Sequence, residues 1–289
     1  MPVGRENDVM DLATMAWFGP LVGGLVGLQI GSFINLLVWR LPQMMQHQWQ
    51  REFDLVNQQA QAKVPAAFNL ATPASHCTHC HTPLRVRDLV PVLSFVWLKG
   101  RCAHCHAKVS WRYPLVETVV ALVWAFCAWH SGISVTALAW AMFATVLIAL
   151  ALIDADTMLL PDSLTLPLMW AGMLCASLGW IDLSLEQSVW GAALGYGVLW
   201  SVQSVFGWIT GKQGMGEGDF KLLAALGAWL GWMSLPALVL LASVSGVVFA
   251  VYERVRGHLK AGEPLPFGPH LVLGAGLFKV SFPLNLLGT

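Results

Sequence analysis

Residues Ile133–Ile153 read ISVTALAWAMFATVLIALALI and run straight into Asp154. The stretch carries no charge, and at about 1.5 Å per residue a helix of this length crosses the roughly 30 Å hydrocarbon core of a bilayer. Working outward, comparable apolar runs stand at Leu12–Trp39, Leu115–His130, Leu164–Ile181, Ser188–Ile209, Phe220–Met233, Leu235–Val251 and Phe267–Phe282. Together they make eight candidate spans, the weakest being Phe220–Met233, which is short and rich in Gly and Ala. Composition agrees: 56% of the 289 residues are apolar and only 11% are charged, against about 25% charged in a soluble domain. Mean hydropathy is +0.63. Neither a soluble globule nor a disordered chain carries such a load. The expectation is an all-α polytopic membrane protein.

Charge sets function classes and orientation. The 16 Lys and Arg balance the 16 Asp and Glu, so no overall basic field recruits nucleic acid. Met1–Met15 mixes Arg5 with Glu6, Asp8 and Asp11 ahead of a long apolar run, which does not fit a cleavable signal. No repeat of 20–50 residues is evident. The 40–114 segment holds nine Lys and Arg, the 210–221 loop holds Lys212 and Lys221, and the 252–266 loop holds Arg254, Arg256 and Lys260. With eight spans these loops share one side, together with the 154–163 loop. The opposite connections, around Gly132, Asp182–Gln187 and Ser234, have no Lys or Arg. Basic loops stay cytoplasmic, so the N-terminus is expected to be periplasmic and the large loop cytoplasmic.

Small residues recur at helical spacing. Gly23, Gly27, Gly31 and Asn35 share one face of the first span, and Gly191/Gly195 and Gly227/Gly231 repeat the pattern. Such faces let backbones approach closely in lipid; a pore lining is the other reading, and close packing is the expectation.

The large loop contains Cys77-x2-Cys80, 21 intervening residues, then Cys102-x2-Cys105. Each CxxC turn offers two thiolates to one ion, and two turns complete a tetrahedral Zn2+ site. A reducing cytoplasm disfavours disulfides at these positions. His76, His79, His81, His104 and His106 crowd the same turns and are read as surrounding residues rather than ligands. Four thiolates leave no open coordination position, so one structural Zn2+ per chain is expected. Cys127 and Cys175 lie inside spans and read as small apolar residues. The expected organisation is a first transmembrane helix at 12–39, a cytoplasmic zinc-binding loop domain at 40–114 and a seven-helix membrane core at 115–282.

Acidic groups at membrane depth are costly and mark function. Asp154 and Asp156 close the third span, Asp219 opens the sixth and Glu117 lies just inside the second. Two carboxyls sharing a site can divide base and acid roles. Asp154 and Asp156 sit about 200° apart around a helix, so they do not face one point, and Asp219 is the expected partner. Gly216 and Gly218 beside it are expected to tolerate unusual dihedrals and admit a substrate backbone. In the bland alternative, Asp154 and Asp219 are interfacial helix ends, Asp219 being an N-cap. Lys221 is expected to snorkel to the interface.

At this point the chain resembles the bacterial type IV prepilin peptidases, the leader peptidase/N-methyltransferases of type IV pili and type II secretion. The resemblance rests on Gly31-Ser32-Phe33-Ile34-Asn35 with Arg40-Leu41-Pro42, on Phe68-Asn69-Leu70 and on the two CxxC turns. It extends through Arg112-Tyr113-Pro114-Leu115-Val116-Glu117, Asp154…Leu160-Pro161-Asp162 and Gly216-Glu217-Gly218-Asp219-Phe220-Lys221. It implies an intramembrane aspartic endopeptidase with Asp154 and Asp219 as the catalytic pair and Pro161, Asp162, Gly216, Gly218 and Lys221 as motif support. The implied substrates are prepilins or pseudopilins, cut after a Gly at the cytoplasmic membrane face. S-adenosylmethionine is the implied methyl donor for the new N-terminus. Gln46-His47-Gln48-Trp49 and Pro73-Ala74-Ser75 depart from the family's usual charged residues in the large loop. A transporter or channel with a zinc-binding cytoplasmic domain is the alternative, and would call for repeat-related, discontinuous spans.

Overall fold

The computed structural model describes residues 5–57, 68–212, 214–258 and 264–281. Among them the α-helices are α1 Arg5–Val56, α2 Leu93–Trp97, α3 Arg112–Ser131, α4 Val135–Thr157, α5 Asp162–Ser177, α6 Leu185–Thr210, α7 Glu217–Leu230, α8 Leu235–Val255 and α9 Gly268–Ser281. No strand forms among the described residues; pairing is limited to the isolated bridges His76–Pro83 and Arg101–Lys108. The expected all-α class is therefore observed.

Each of the eight apolar runs folds as a helix, but their lengths divide them. Trp17–Val56, Arg112–Ser131, Val135–Thr157, Leu185–Thr210 and Trp232–Val255 are long and apolar enough to cross a membrane. Helices α5, α7 and α9 have only 16, 14 and 14 residues, short of the roughly 20 that a full crossing needs. Helix α1 does not stop near Trp39 but continues through Val56. Large apolar side chains remain exposed along α3 and α8, among them Leu122, Phe126, Trp129, Val244, Val247 and Val248. Contiguous surfaces of that kind are rare on water-soluble monomers and suit lipid.

The chain divides into two compact units, Met1–Thr145 and Val146–Thr289. In the first, α1 lies along α3 on the expected glycine face. A Cβ on Gly23 would stand 2.8 Å from the Trp124 carbonyl oxygen, and one on Gly27 or Gly31 would stand 2.7 Å from the Cα of Ala121 or Glu117. One turn on, Asn35 Nδ2 donates to the Tyr113 carbonyl at 3.1 Å.

In the second unit α7 is the enclosed helix. From Asp219 to Leu230 every residue but Lys221 is buried, with α5, α6, α8 and α9 against it. The span that composition ranks weakest is thus the best covered, because its small residues admit neighbours. Gly191 of α6 and Gly227 of α7 meet backbone to backbone, and a Cβ on Gly195 would lie 2.6 Å from the Leu223 carbonyl oxygen. Trp229 Nε1 donates to Leu168 O at 2.8 Å, and Ser188 Oγ to Ala228 O at 2.7 Å. Gly231 departs from the expected packing role: it ends α7 at φ +79°, a conformation glycine adopts without a Cβ penalty.

Candidate active site and metal centre

Asp154 lies in the last turn of α4 and is 4% exposed, whereas Asp156, two residues on, is exposed. The separation follows from the 100° per residue of a helix. Asp154 Oδ2 accepts a buried hydrogen bond from the backbone N–H of Gly268, 2.9 Å away. Gly268 is the first residue of α9, and a Cβ there would sit 2.7 Å from that same oxygen. The close approach therefore needs glycine.

Asp219 is 9% exposed and occupies the third position of α7. The N-cap is Gly216 in extended conformation, and the Asp219 carboxyl turns back to hydrogen-bond its backbone. Asp219 is thus not the N-cap. Its carboxyl lies within electrostatic range of Asp154, so the structure brings these two together and leaves Asp156 on the surface.

Two expectations about the neighbouring residues change. Neither Gly216 nor Gly218 has a positive φ; Gly218 is required instead by contact, since a Cβ on it would lie 2.7 Å from Leu160 Cβ. Lys221 does not extend freely to an interface. Its Nζ is 2.8 Å from both oxygens of Asp162, which follows Pro161, the buried N-cap of α5. The Leu160–Asp162 and Gly216–Lys221 segments are therefore tied by one ion pair and one glycine contact.

In the first unit the sulfurs of Cys77, Cys80, Cys102 and Cys105 all lie within 4.8 Å of one another. The two turns are built alike. His79 N donates to Cys77 Sγ and His104 N to Cys102 Sγ, each at 3.4 Å. Each turn closes on a histidine in the left-handed region, His81 at φ 55° and His106 at φ 57°. The Thr82 side chain, and then its backbone, pull the Cys80 thiol down to about 6. Backbone hydrogen bonds from Cys105 and His104 also lower Cys102. The Ala107 backbone draws Cys105 down, but burial and the other thiols outweigh it and push that group to about 11. Crowded thiols resist losing the last proton, and a bound cation would relieve that repulsion. The cluster is a candidate metal site with sulfur donors, and the five nearby histidines stand outside it.

Residues 25–131 match the model of the bacterial peptidase A24 N-terminal domain, and residues 141–251 match that of the type IV leader peptidase family. The prepilin leader peptidase/N-methyltransferase of Stutzerimonas stutzeri is 45% identical over 249 residues, 86% of each chain. The chain belongs to the type IV leader peptidase family. Proteins of the same name from Dickeya chrysanthemi and Pseudomonas aeruginosa are 42% identical over 266 residues and 43% identical over 250 residues. They cover 91% and 86% of this chain and 92% and 86% of their own lengths. No solved structure matches. Nothing in these matches supports a transporter. Within this family member, the four cysteines fall in the first matched segment and Asp154 and Asp219 in the second.

Two features escaped sequence reasoning. Gly268 lies beyond both matched segments, and its only sequence signal is a Gly-Pro pair opening an apolar run. Arg40 is 1% exposed although it follows an apolar run like any interfacial arginine. Its guanidinium donates to the carbonyls of Asn69 at 2.8 Å, Leu70 at 3.2 Å and Pro73 at 2.6 Å, and stands over the Phe68 ring. His47 also packs edge-on to Phe68, with ring centroids 5.5 Å apart. His47 thus lies beside this clamp.

Proposed function

We propose that this chain is an intramembrane aspartic endopeptidase that removes the leader peptide of type IV prepilins or type II secretion pseudopilins, and then N-methylates the new N-terminal residue. The observation that carries the peptidase reading is that two buried carboxyls, Asp154 and Asp219, at the ends of separate helices in a family member, lie within electrostatic range of each other. One carboxylate takes a proton from water as the water attacks the scissile carbonyl carbon. The other, as the acid, hydrogen-bonds the carbonyl oxygen and later protonates the departing amine. The Gly268 N–H fixes the oxygen of Asp154 that it binds, leaving the second oxygen for water or substrate. The Lys221–Asp162 pair, with Pro161, Gly216 and Gly218, holds the two aspartate segments in register.

The four cysteines hold a structural Zn2+. Their sulfurs converge as a tetrahedral thiolate site requires, and four protein ligands leave no position for activating water. S-adenosylmethionine supplies the methyl group to the amine released by cleavage. The chain is a multi-pass protein of the bacterial inner membrane, with its N-terminus periplasmic and with the 40–114 domain and both aspartates at the cytoplasmic face. Its working parts are the first transmembrane segment at 12–39, whose helix runs on to Val56, the 40–114 zinc-binding domain and the 115–282 membrane core, in line with the placement of basic residues.

Cleavage of a purified prepilin by the detergent-solubilised chain tests the reading. Asp154→Asn and Asp219→Asn should each abolish the shortened product while leaving protein level and zinc content unchanged, and Asp156→Asn should retain substantial activity. Cleavage surviving in both single variants would exclude the aspartate pair.

A further inference from the structure

In the first unit a cavity of about 460 Å3 opens between α1, α3 and the cysteine module. Its volume falls in the roughly 300–1,000 Å3 typical of small-molecule sites. Its wall includes Asn35, Arg40, Asp88, Phe95, Tyr113 and Glu117, together with two of the cluster cysteines. We propose that this cavity binds S-adenosylmethionine, an assignment that rests on the methyl-transfer half of the proposed function and gives it a location.

The chemistry of the wall matches the charges of that molecule. S-adenosylmethionine carries one carboxylate and two cationic centres, an ammonium and a sulfonium. The cavity offers one buried cation, Arg40, and two carboxylates, Asp88 and Glu117, with the exposed Arg101 and Lys108 also on its wall. Arg40 Nη1 and Nη2 are committed to backbone carbonyls. Arg40 Nε is the only buried side-chain nitrogen or oxygen without a hydrogen-bond partner among the described residues. The carbonyls that Arg40 binds carry no net charge, so the guanidinium charge on this wall stays available to attract the ligand's carboxylate. Glu117 is 8% exposed; Val92 N donates to its Oε2 at 2.8 Å and the Ser32 side chain also hydrogen-bonds the carboxyl, both being neutral donors. Its charge then serves a cation in the cavity. Phe95 and Tyr113 supply aromatic surface for an adenine, as aromatic side chains do in nucleobase sites.

The cavity also explains why a metal module sits beside it. Arg101 and Cys102, at the start of the second CxxC turn, line the same space, so ordering the module by metal shapes one wall.

Equilibrium binding of radiolabelled S-adenosylmethionine to the full-length chain in detergent, with no pilin present, tests the assignment. Ser94 lines the cavity from α2, and Ser94→Phe should fill it and abolish binding. Glu117→Gln keeps an acceptor for Val92 N–H but removes the charge. It should weaken S-adenosylmethionine at least tenfold and S-adenosylhomocysteine, which lacks the sulfonium charge, much less. Metal content and melting temperature confirm that each variant is folded. Folded variants that both bind with the wild-type affinity, in a chain that methylates cleaved pilin, would overturn the location alone. A wild-type chain that cleaves prepilin yet neither binds S-adenosylmethionine nor methylates would overturn the methyl-transfer reading and the location with it.

Discussion

Replacing Gly268 with alanine should damage peptide cleavage while sparing the fold. The added Cβ would lie 2.7 Å from Asp154 Oδ2, whereas ordinary contact begins at 3.4 Å, so the carboxyl must retreat by about 0.7 Å. The obstacle is the end of a flexible side chain rather than backbone, and the carboxyl can yield. It does so at the expense of its hydrogen bond from Gly268 N–H, now 2.9 Å long. A hydrogen bond to a charged group contributes about 1.5–3 kcal/mol, and misplacing a reacting group by about 1 Å costs on the order of 10²-fold in rate. The expected result is a fall in kcat for prepilin cleavage of about ten- to a hundredfold, with KM, metal content and methylation of a pre-cleaved pilin near wild type. Pro269 follows, and a residue before proline with a Cβ is disfavoured in helical conformation. The double variant Gly268→Ala/Pro269→Ala removes that backbone restriction and leaves the steric one, so it should remain slow. Cleavage within twofold of wild type in the single variant, or full recovery in the double, would refute a role for the missing Cβ.

Replacing Cys77 and Cys80 together with serine should lower bound zinc from about one per chain towards none and impair methylation more than cleavage, as metal analysis with parallel assays would show. Loss of cleavage with methylation intact in a stably inserted variant would count against a separable metal module. Gly191→Val drives a side chain into the Gly227 backbone, whereas Gly197 on the same helix has nothing within 4 Å of a Cβ. Thermal melts in detergent should therefore show a loss of at least about 1–3 kcal/mol for Gly191→Val, and little change for Gly197→Ala. Reporter fusions at Ser75, Gly214 and Gly257 should signal cytoplasm, and those at Gly132 and Ser184 periplasm. A periplasmic signal at Gly214 would place Asp219 across the bilayer from Asp154.

What the sequence determined alone is local. An uncharged run such as Ile133–Ile153 forms a helix from its own length and apolarity, and each CxxC places two sulfurs within one turn. The positions of the helices and the membership of the cysteine cluster were therefore legible, and so was the opposition of Asp154 and Asp156 around α4. The tertiary structure alone decided which distant groups meet. Gly268 reaches Asp154 from 114 residues away, Arg40 turns inward to hold carbonyls about thirty residues on, and Lys221 takes Asp162 as its partner rather than an interface. It also decided that α7, the least convincing span by composition, is the helix the others enclose. Hydropathy cannot rank helices by enclosure, because lipid tails and a protein interior are equally apolar, and association in lipid follows close backbone approach. Whether Gly191 finds Gly227, or Gly268 finds a carboxyl, depends on shapes that exist only once the helices have packed.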